Sequence, residues 1–289
     1  MTTFAFIPSP PGNGFHIGPF FIHMYGIMYV LAVAAAIAIT RHEWELRGGS
    51  REDVYEAAWW GFPAGLVGGR IYFLVTTPSQ IPPGTFGFLE VWKGGLGIWG
   101  GVALGSAVGI WRIRRRHDWP TVREMLSVVA PALLVAQAIG RVGNYFNQEL
   151  FGKPSTLPWA LKIDPQFRPP GFAHFATFQP SFLYEMIWDL SLAAFLLWLG
   201  RKRVVRAPGL FALYVAGYSA YRIFEETIRI DYSEYILGER LNFWIALIVS
   251  LAGFVWFAWI QWLGPRARRD RAAGLPADPT LSERQVVAR

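Results

Sequence analysis

A polar segment, Gly140-Arg-Val-Gly-Asn-Tyr-Phe-Asn-Gln-Glu-Leu-Phe-Gly-Lys153, directly follows the apolar run Val128–Ile139. It places one arginine, Arg141, at the end of a candidate membrane helix. A guanidinium at that depth is costly unless it faces a wet cavity, a carboxylate or an anionic ligand. The alternative is a helix-end arginine that snorkels to the interface. Two further arginines, Arg70 and Arg222, lie in similar positions. Their recurrence favours a binding site over a single snorkelling side chain.

The composition indicates that the chain is a membrane protein. Hydrophobic residues make up 53% of the 289 residues and charged residues only 16%, whereas soluble domains average about 25% charged residues. Runs of about 20 apolar residues predict an all-α, polytopic protein with about seven transmembrane helices. The runs are Ile17–Thr40, Tyr55–Thr76, Gly94–Trp111, Val122–Phe146, Pro180–Leu199, Ala207–Ile228 and Leu241–Leu263.

The distribution of basic residues predicts the orientation. Of the 27 Lys and Arg, 18 follow the first, third, fifth and seventh runs. The positive-inside rule therefore puts the N-terminus outside and the C-terminus in the cytoplasm. We expect one integral-membrane domain over residues 1–264 and a disordered cytoplasmic tail over 265–289. The net charge of +7 is then a topology signal, and no nucleic-acid partner is predicted.

Elimination narrows the chemistry. The chain has no cysteine, which excludes a cysteine nucleophile, an iron–sulfur cluster and a thiolate metal site. None of the five histidines forms an HxxxH or HExxH pair, so we predict no metal site and no cofactor. Arginines, carboxylates and amides within the apolar runs remain as candidates.

Three groups of these residues are predicted to converge in the outer half of the bundle. The first run carries His23 and Tyr25, the fourth carries Arg141, Asn144 and Glu149, and the sixth carries Tyr218, Arg222, Glu226 and Arg229. Arg222 and Glu226 are four residues apart and Glu226 and Arg229 three, so both pairs share a helix face. A self-neutralising ladder is one interpretation. The other is a phosphate site, since arginine binds phosphate in bidentate fashion, and a phosphate within a membrane indicates a phospholipid head group.

Over roughly residues 15–264 the chain resembles the prolipoprotein diacylglyceryl transferases. The most specific match is Gly140–Gly152, which is similar to the family signature Gly-Arg-x-Gly-Asn-Phe/Tyr-x-Asn-x-Glu-Leu-x-Gly. Supporting matches are His23-Met-Tyr25-Gly26, Gly68-Gly69-Arg70, Lys93-Gly94-Gly95-Leu96, Gly100-Gly101, Gln179-Pro-Ser-Phe-Leu-Tyr-Glu185 and Tyr221-Arg222-Ile-Phe-Glu-Glu226.

Some positions depart from the family pattern. Trp99 occupies the position of a histidine proposed as catalytic in many members, while Gln179 and Phe182 replace a histidine and a glutamine. Indole cannot accept a proton at physiological pH, so Trp99 is not a base. We expect Trp99 to pack in the groove between Gly94-Gly95 and Gly100-Gly101.

The resemblance implies the first step of bacterial lipoprotein maturation. The diacylglyceryl group of phosphatidylglycerol would pass to the lipobox cysteine of a preprolipoprotein signal peptide, forming a thioether and releasing glycerol phosphate. The expected location is the bacterial cytoplasmic (inner) membrane, with membrane lipid around a multi-pass chain. A phospholipid-binding transporter and a catalytically inactive scaffold remain alternatives.

The expected roles divide the candidates into two sets. Arg141 and Arg222 would lower the pKa of the substrate thiol and hold the departing phosphate, and the proton acceptor would be His23 or Glu226. Tyr25 and Tyr218 are hydrogen-bond candidates. Head-group binding would involve Arg141, Asn144, Glu149, Gly152, Arg70, Tyr218 and Arg229.

Overall fold

The computed structural model describes residues 6–78, 81, 84, 86–90, 95–265 and 268. Seven α-helices occur among these residues, one in each predicted apolar run. They are α1 (Met24–Glu45), α2 (Arg51–Thr76), α3 (Ile98–Arg116), α4 (Trp119–Asn147), α5 (Ser181–Lys202), α6 (Gly209–Ile228) and α7 (Leu241–Ala258). A π-helical turn, Trp259–Leu263, continues α7. The predicted tail lies outside the described residues except for Pro265 and Arg268, as do Lys93 and Gly94.

Four helical segments in the described chain are long and apolar enough to cross a membrane. They are Met24–Glu45, Trp119–Asn147, Ser181–Lys202 and Leu241–Leu263. Together with the predominance of helix, they confirm the predicted all-α membrane class. Helix α6 carries Arg222, Glu225 and Glu226, three of the charged residues that form the site described below.

Short antiparallel hairpins, which the sequence analysis did not predict, lie between the helices. Strands β1 (Gly14–Ile17) and β2 (Phe20–His23) pair before α1, so this helix begins at Met24 rather than near residue 17. Strands β3 (Leu161–Lys162) and β4 (Thr177–Phe178) pair within the long loop between α4 and α5. Strands β5 (Tyr235–Ile236) and β6 (Glu239–Arg240) pair before α7.

The described residues form two compact units. The first contains the residues up to Ile39 and those from Leu126 onward, and the second contains those from Thr40 to Met125. In the first unit, Ala130 and Leu134 of α4 pack with Ala193 and Leu196 of α5 in a buried core. A second core forms where the loop strands meet, and it contains Phe151, Leu161, Ile163 and Phe178.

In the second unit, α2 and α3 pack through glycines. A methyl group added to Gly68 would lie 2.3 Å from the carbonyl oxygen of Gly100, and one added to Gly100 would lie 2.2 Å from that of Gly68. Gly65 and Gly101 also face each other, where an added methyl group would lie 3.4 and 3.2 Å from the opposite carbonyl oxygen. Small residues let membrane helices approach closely enough for backbone contact, so this pairing explains the glycine-rich sequence of both helices.

Candidate active site

Arg141 lies two turns before the end of α4 and makes three side-chain contacts. Its Nη2 forms an ion pair with Glu185 of α5 and lies 3.5 Å from the hydroxyl oxygen of Tyr218 of α6. Its Nη1 donates to Oδ1 of Asn144 at 3.3 Å. Tyr218 in turn donates to Oε1 of Glu185 at 3.0 Å. Three helices of the first unit therefore fix one guanidinium, and the burial cost of the charge is offset by a carboxylate.

The turn after α4 brings the signature polar groups together. Asn144 donates through Nδ2 to Oε1 of Glu149 at 2.8 Å, and Asn147 donates to the same oxygen at 3.2 Å. Gln148 and Leu150 have φ angles of 50° and 57°, in the left-handed region that non-glycine residues seldom adopt. Because the backbone reverses there, the side chain of Glu149 comes back to the amide of Asn144. The sequence alone shows only that the two residues are five positions apart.

Gly152 is required by backbone packing. Its N–H donates to the carbonyl of Gln179 at 2.9 Å, and it bridges Arg229 in antiparallel fashion. A Cβ at this position would lie 3.1 Å from the carbonyl oxygen of Ile228 and 3.0 Å from Cβ of Gln179. This close approach explains the glycine; its predicted part in head-group binding stays a prediction.

Arg222 on α6 forms the second half of the site. It pairs with Glu225 and with Glu226, so the predicted pairing of Arg222 and Glu226 is confirmed. Its Nη1 also lies 3.9 Å from Oε2 of Glu185. Glu185 therefore contacts both Arg141 and Arg222, through different oxygens.

The other predicted pair on α6, Glu226 with Arg229, is wrong. Arg229 donates to Oδ1 of Asp231 at 2.6 Å, and Glu226 instead accepts from Nε of Arg240 at 2.7 Å. The reason is that Arg229 is the C-cap residue of α6 and has an extended backbone (φ −70°, ψ 148°). Helical spacing consequently does not apply to its side chain.

Asp231 ties the end of α6 to β6. Arg240 donates to its Oδ2 at 3.1 Å and to its carbonyl oxygen at 2.7 Å. Burial by itself would raise the pKa of the Asp231 carboxyl, but the hydrogen bond and charge of Arg229, with the charge of Arg240, hold that pKa below its usual value. Asp231 therefore serves as an ionised anchor for two arginines.

Exposure distinguishes the cations of the site from its anions. The side chains of Arg141 and Arg222 are 16% and 18% exposed, while those of Glu185 and Glu225 are at most 1% exposed. An incoming anion thus meets the guanidinium groups before it meets the carboxylates. Such a pair of partly exposed, rigidly held arginines is suited to bind a phosphate.

The structure places Tyr25 against α4 and leaves His23 at the end of β2. A Cβ on Gly143 would lie 2.5 Å from Cδ2 of Tyr25, so the ring of Tyr25 packs on the α4 backbone beside the signature. His23 is exposed and packs edge-on against Phe21, with 4.7 Å between ring centroids. No hydrogen bond or ion pair between described residues joins His23 to Arg141 or Arg222.

Arg70 lies in the second unit and binds the loop that precedes α3. Its guanidinium donates to the carbonyl oxygens of Gly87, Phe88 and Gly95 at 2.8–2.9 Å, and the residue is 6% exposed. These contacts show an arginine that fixes loop backbone. Its predicted part in head-group binding stays a prediction.

The expectation that Trp99 packs in a glycine groove is wrong. Trp99 is 65% exposed, because α3 directs its glycines toward α2 and leaves the indole outside that contact. The second residue of α3 is therefore accessible and does not contribute to the core.

Several charged residues of the site were given no role by the sequence analysis. They are Glu185, Asp189, Glu225, Asp231 and Arg240. Glu185 and Glu225 had signals, since one closes the Gln179–Glu185 motif and the other lies three residues after Arg222. Arg240 had none, because it approaches Glu226 from another element. No group of three His, Asp or Glu side chains in the described chain is arranged to hold a metal ion.

Comparisons with known proteins show the family of the chain. Residues 13–259 match the family model of prolipoprotein diacylglyceryl transferase. The chain is 43% identical over 254 residues to phosphatidylglycerol–prolipoprotein diacylglyceryl transferase 2 of Streptomyces coelicolor, covering 86% of this chain and 78% of the relative. It is 40% identical over 277 residues to the Bifidobacterium adolescentis transferase, covering 91% and 82% of the two chains. The Bifidobacterium longum subsp. infantis transferase is 39% identical, and the match covers 98% of this chain and 94% of the relative. The chain therefore belongs to the prolipoprotein diacylglyceryl transferase family.

Proposed function

We propose that this protein transfers the diacylglyceryl group of phosphatidylglycerol to the lipobox cysteine thiol of preprolipoproteins. The observation that carries the proposal is the junction at Glu185, where one buried carboxylate contacts both Arg141 and Arg222. Arg141 comes from the family signature and Arg222 from a helix 81 positions further along the chain. A phosphodiester at their exposed edges would be held by two positive groups.

The reaction follows from these charges. The substrate thiol has an unperturbed pKa of about 8.5, so only a few per cent is thiolate at neutral pH. The guanidinium groups of Arg141 and Arg222 favour the thiolate electrostatically. The thiolate attacks the glyceryl carbon that bears the phosphate oxygen, the new C–S bond forms, and the C–O bond breaks. Glycerol phosphate leaves with that electron pair, and the same arginines stabilise its added charge.

The remaining candidates receive supporting roles. Asn144 and Glu149 orient Arg141 from the turn after α4, and Tyr218 holds Glu185. Tyr25 offers a hydroxyl for a head-group oxygen, and Arg229 and Gly152 belong to the proposed head-group surroundings. The part of Arg70 in head-group binding stays a prediction from the sequence. Both oxygens of Glu226 are held by arginines, which weakens it as a base, so His23 is the preferred acceptor for the thiol proton.

The proposed topology has seven spans. Helices α2, α3 and α6 contain 26, 19 and 20 residues, and a rise of 1.5 Å per residue makes each of them roughly as long as the bilayer core is thick. The N-terminus is assigned to the outside and the C-terminus to the cytoplasm by the positions of the basic residues. The cytoplasmic (inner) membrane of a bacterium is the proposed location, with signal peptides of preprolipoproteins as the protein partners.

A single assay tests the function. The purified protein is incubated with phosphatidylglycerol vesicles and a lipobox peptide, and the peptide mass is measured. A mass increase of one diacylglyceryl group, with release of glycerol phosphate, is expected for the cysteine peptide, and no change for a matched serine peptide. Unchanged cysteine peptide would favour a transporter or an inactive scaffold.

A further inference from the structure

The turn after α4 contains a strained residue, Gln148. It directly follows Asn147, the last residue of the helix, and has a φ angle of 50°. Helices commonly end with a glycine in this left-handed conformation, because a residue with a Cβ is strained there. Such an outlier persists only where the surrounding structure holds it. The side chain of Gln148 makes contacts that do so.

Gln148 and Asp164 form a reciprocal pair of hydrogen bonds, which we call the amide clamp. Nε2 of Gln148 donates to Oδ2 of Asp164 at 2.8 Å, and Oε1 accepts from the backbone N–H of Asp164 at 2.8 Å. Gln148 is only 5% exposed, so loss of either hydrogen bond would leave a buried polar group unsatisfied. Because both ends of the amide are used, the clamp fixes its rotation as well as its position.

Asp164 is a firm partner for this contact. The residue before it, Ile163, is completely buried in the second core, and the carbonyl oxygen of Asp164 accepts from the N–H of Phe167 at 3.0 Å. Hydrogen bonds from Gln148 and Ser9 hold the pKa of the Asp164 carboxyl below its usual value, so the carboxyl is ionised at neutral pH. The clamp therefore ties the turn after α4 to a fixed, negatively charged point of the long loop.

Glu149 lies between two fixed residues. On one side is Gln148 in the amide clamp, and on the other is Leu150, which has a φ angle of 57° and whose carbonyl oxygen accepts from the hydroxyl of Ser181. Oε1 of Glu149 accepts from Nδ2 of Asn144 at 2.8 Å. The position of this carboxylate, and with it the amide of Asn144, is thus set by contacts outside α4.

We propose that the amide clamp positions Arg141 for diacylglyceryl transfer, acting through Glu149 and Asn144. The amide of Asn144 donates to Glu149 and accepts from Nη1 of Arg141 at 3.3 Å. Because one amide makes both contacts, a shift of Glu149 moves the oxygen that is offered to Arg141. The ion pair with Glu185 remains, so loss of the clamp changes the orientation of the guanidinium and leaves its charge in place. The inference rests on the proposed function, in which Arg141 holds the departing phosphate.

The test replaces the amide by a carboxylate of the same shape. In Gln148→Glu the new carboxylate faces the ionised Oδ2 of Asp164, and the two repel each other. Gln166→Glu makes the same change on an exposed residue two positions from Asp164 in the same loop and is the matched control. Initial rates of the full-length protein with phosphatidylglycerol and a lipobox cysteine peptide give kcat and KM, and thermal unfolding gives Tm.

The kcat of Gln148→Glu should fall about tenfold, since a small displacement of a catalytic group is sufficient for such a loss. Its KM for the peptide should stay at the parental value, and Gln166→Glu should keep the parental kcat. Addition of Asp164→Asn to Gln148→Glu should restore most of the kcat, because the introduced amide donates to the introduced carboxylate and reverses the polarity of the contact.

Gln148→Gly is a second variant in case Gln148→Glu does not fold. Glycine adopts the left-handed conformation without strain, so the turn keeps its backbone while both side-chain hydrogen bonds are removed. The kcat should again fall with the KM for the peptide unchanged.

The outcomes separate this inference from the proposed function. Parental kcat in a folded Gln148→Glu or Gln148→Gly protein, even with a lowered Tm, would show that the clamp only stabilises the loop and would overturn the inference. A loss of kcat in Gln148→Glu that Asp164→Asn does not relieve would also overturn it. Either result leaves the transferase function standing, whereas a parent protein that forms no thioether would overturn both.

Discussion

Arg141 of α4 and Glu185 of α5 form an ion pair in which the carboxylate is completely buried. The same carboxylate lies 3.9 Å from Arg222 of α6, so the pair joins three helices at the point where the family signature begins. This buried carboxylate is tolerated because Arg141 neutralises its charge and the hydroxyl of Tyr218 donates a hydrogen bond to its Oε1. The relationship makes Glu185 a structural determinant of the proposed phosphate site.

Removal of Glu185 should therefore destabilise the protein. Glu185→Ala leaves Arg141 as a buried charge without its principal partner, and the free energy of unfolding should fall by about 3–5 kcal/mol. Thermal unfolding in detergent micelles measures this loss. Glu239→Ala, on the exposed β6 strand, is the control and should change stability by less than about 0.5 kcal/mol. Equal unfolding temperatures for the two variants would refute the role assigned to Glu185.

The glycine contact between α2 and α3 makes a separate prediction about stability. In Gly68→Ala the new methyl group would lie 2.3 Å from the Gly100 carbonyl oxygen and 2.6 Å from Cβ of Leu104. The helices must separate, at a cost of about 1–3 kcal/mol. Gly26→Ala has no atom within 4 Å of the added methyl and should be neutral or slightly stabilising. If thermal unfolding shows the same midpoint for both variants, the close packing of these helices is wrong.

The helices could be predicted because apolar runs of membrane length are a property of consecutive residues. Their ends could not, since they depend on other elements. The hairpin of β1 and β2 delays α1 to Met24. Ser50 accepts a hydrogen bond from the N–H of Glu52 at 3.3 Å, and α2 therefore begins before its apolar run.

Within the site, contacts along one helix could be predicted from the sequence, and contacts between different elements could not. Arg222 and Glu226 share a helix face by spacing alone, and their pair was predicted correctly. The partners of Arg141 and of Glu226 on other elements, Glu185 and Arg240, depend on how the helices and the β6 hairpin pack. Sequence spacing carries no such information, and at Arg229 it was misleading because the helix had ended.

Because the side chain of Trp99 is exposed, we expect position 99 to tolerate substitution. Trp99→Phe and Trp99→Ala should both retain most of the transfer activity and stability, because the indole is 65% exposed and cannot act as a base. Trp99→His should give no large gain. Initial rates measured against pH for the three variants and the parent check this. A many-fold acceleration in Trp99→His with a new ionisation near pH 6–7 would show that a base at this position matters.

The proposed topology predicts the location of two loop segments. A reporter inserted near His174, an exposed residue between β3 and β4, should report the outside of the membrane. A reporter fused after Arg203, beyond the end of α5, should report the cytoplasm. The reverse pattern would place the loop between β3 and β4 in the cytoplasm and contradict the assigned orientation.

Arg141 provides the most direct measurement of the central claim, that a rigid guanidinium pair holds the phosphate during diacylglyceryl transfer. The measurement is the initial rate of thioether formation, followed by peptide mass, for Arg141→Lys beside the parent and the control Arg51→Lys, a 62% exposed side chain. Lysine keeps the charge but cannot reproduce contacts with Asn144, Glu185 and Tyr218 together with a bidentate phosphate contact. We expect Arg141→Lys to lose at least about 100-fold in rate, the loss typical of removing one stabilising donor at a reacting oxygen, while Arg51→Lys keeps the parental rate. Near-normal turnover by a folded Arg141→Lys protein would contradict the account, because Arg141 would then supply only a positive charge.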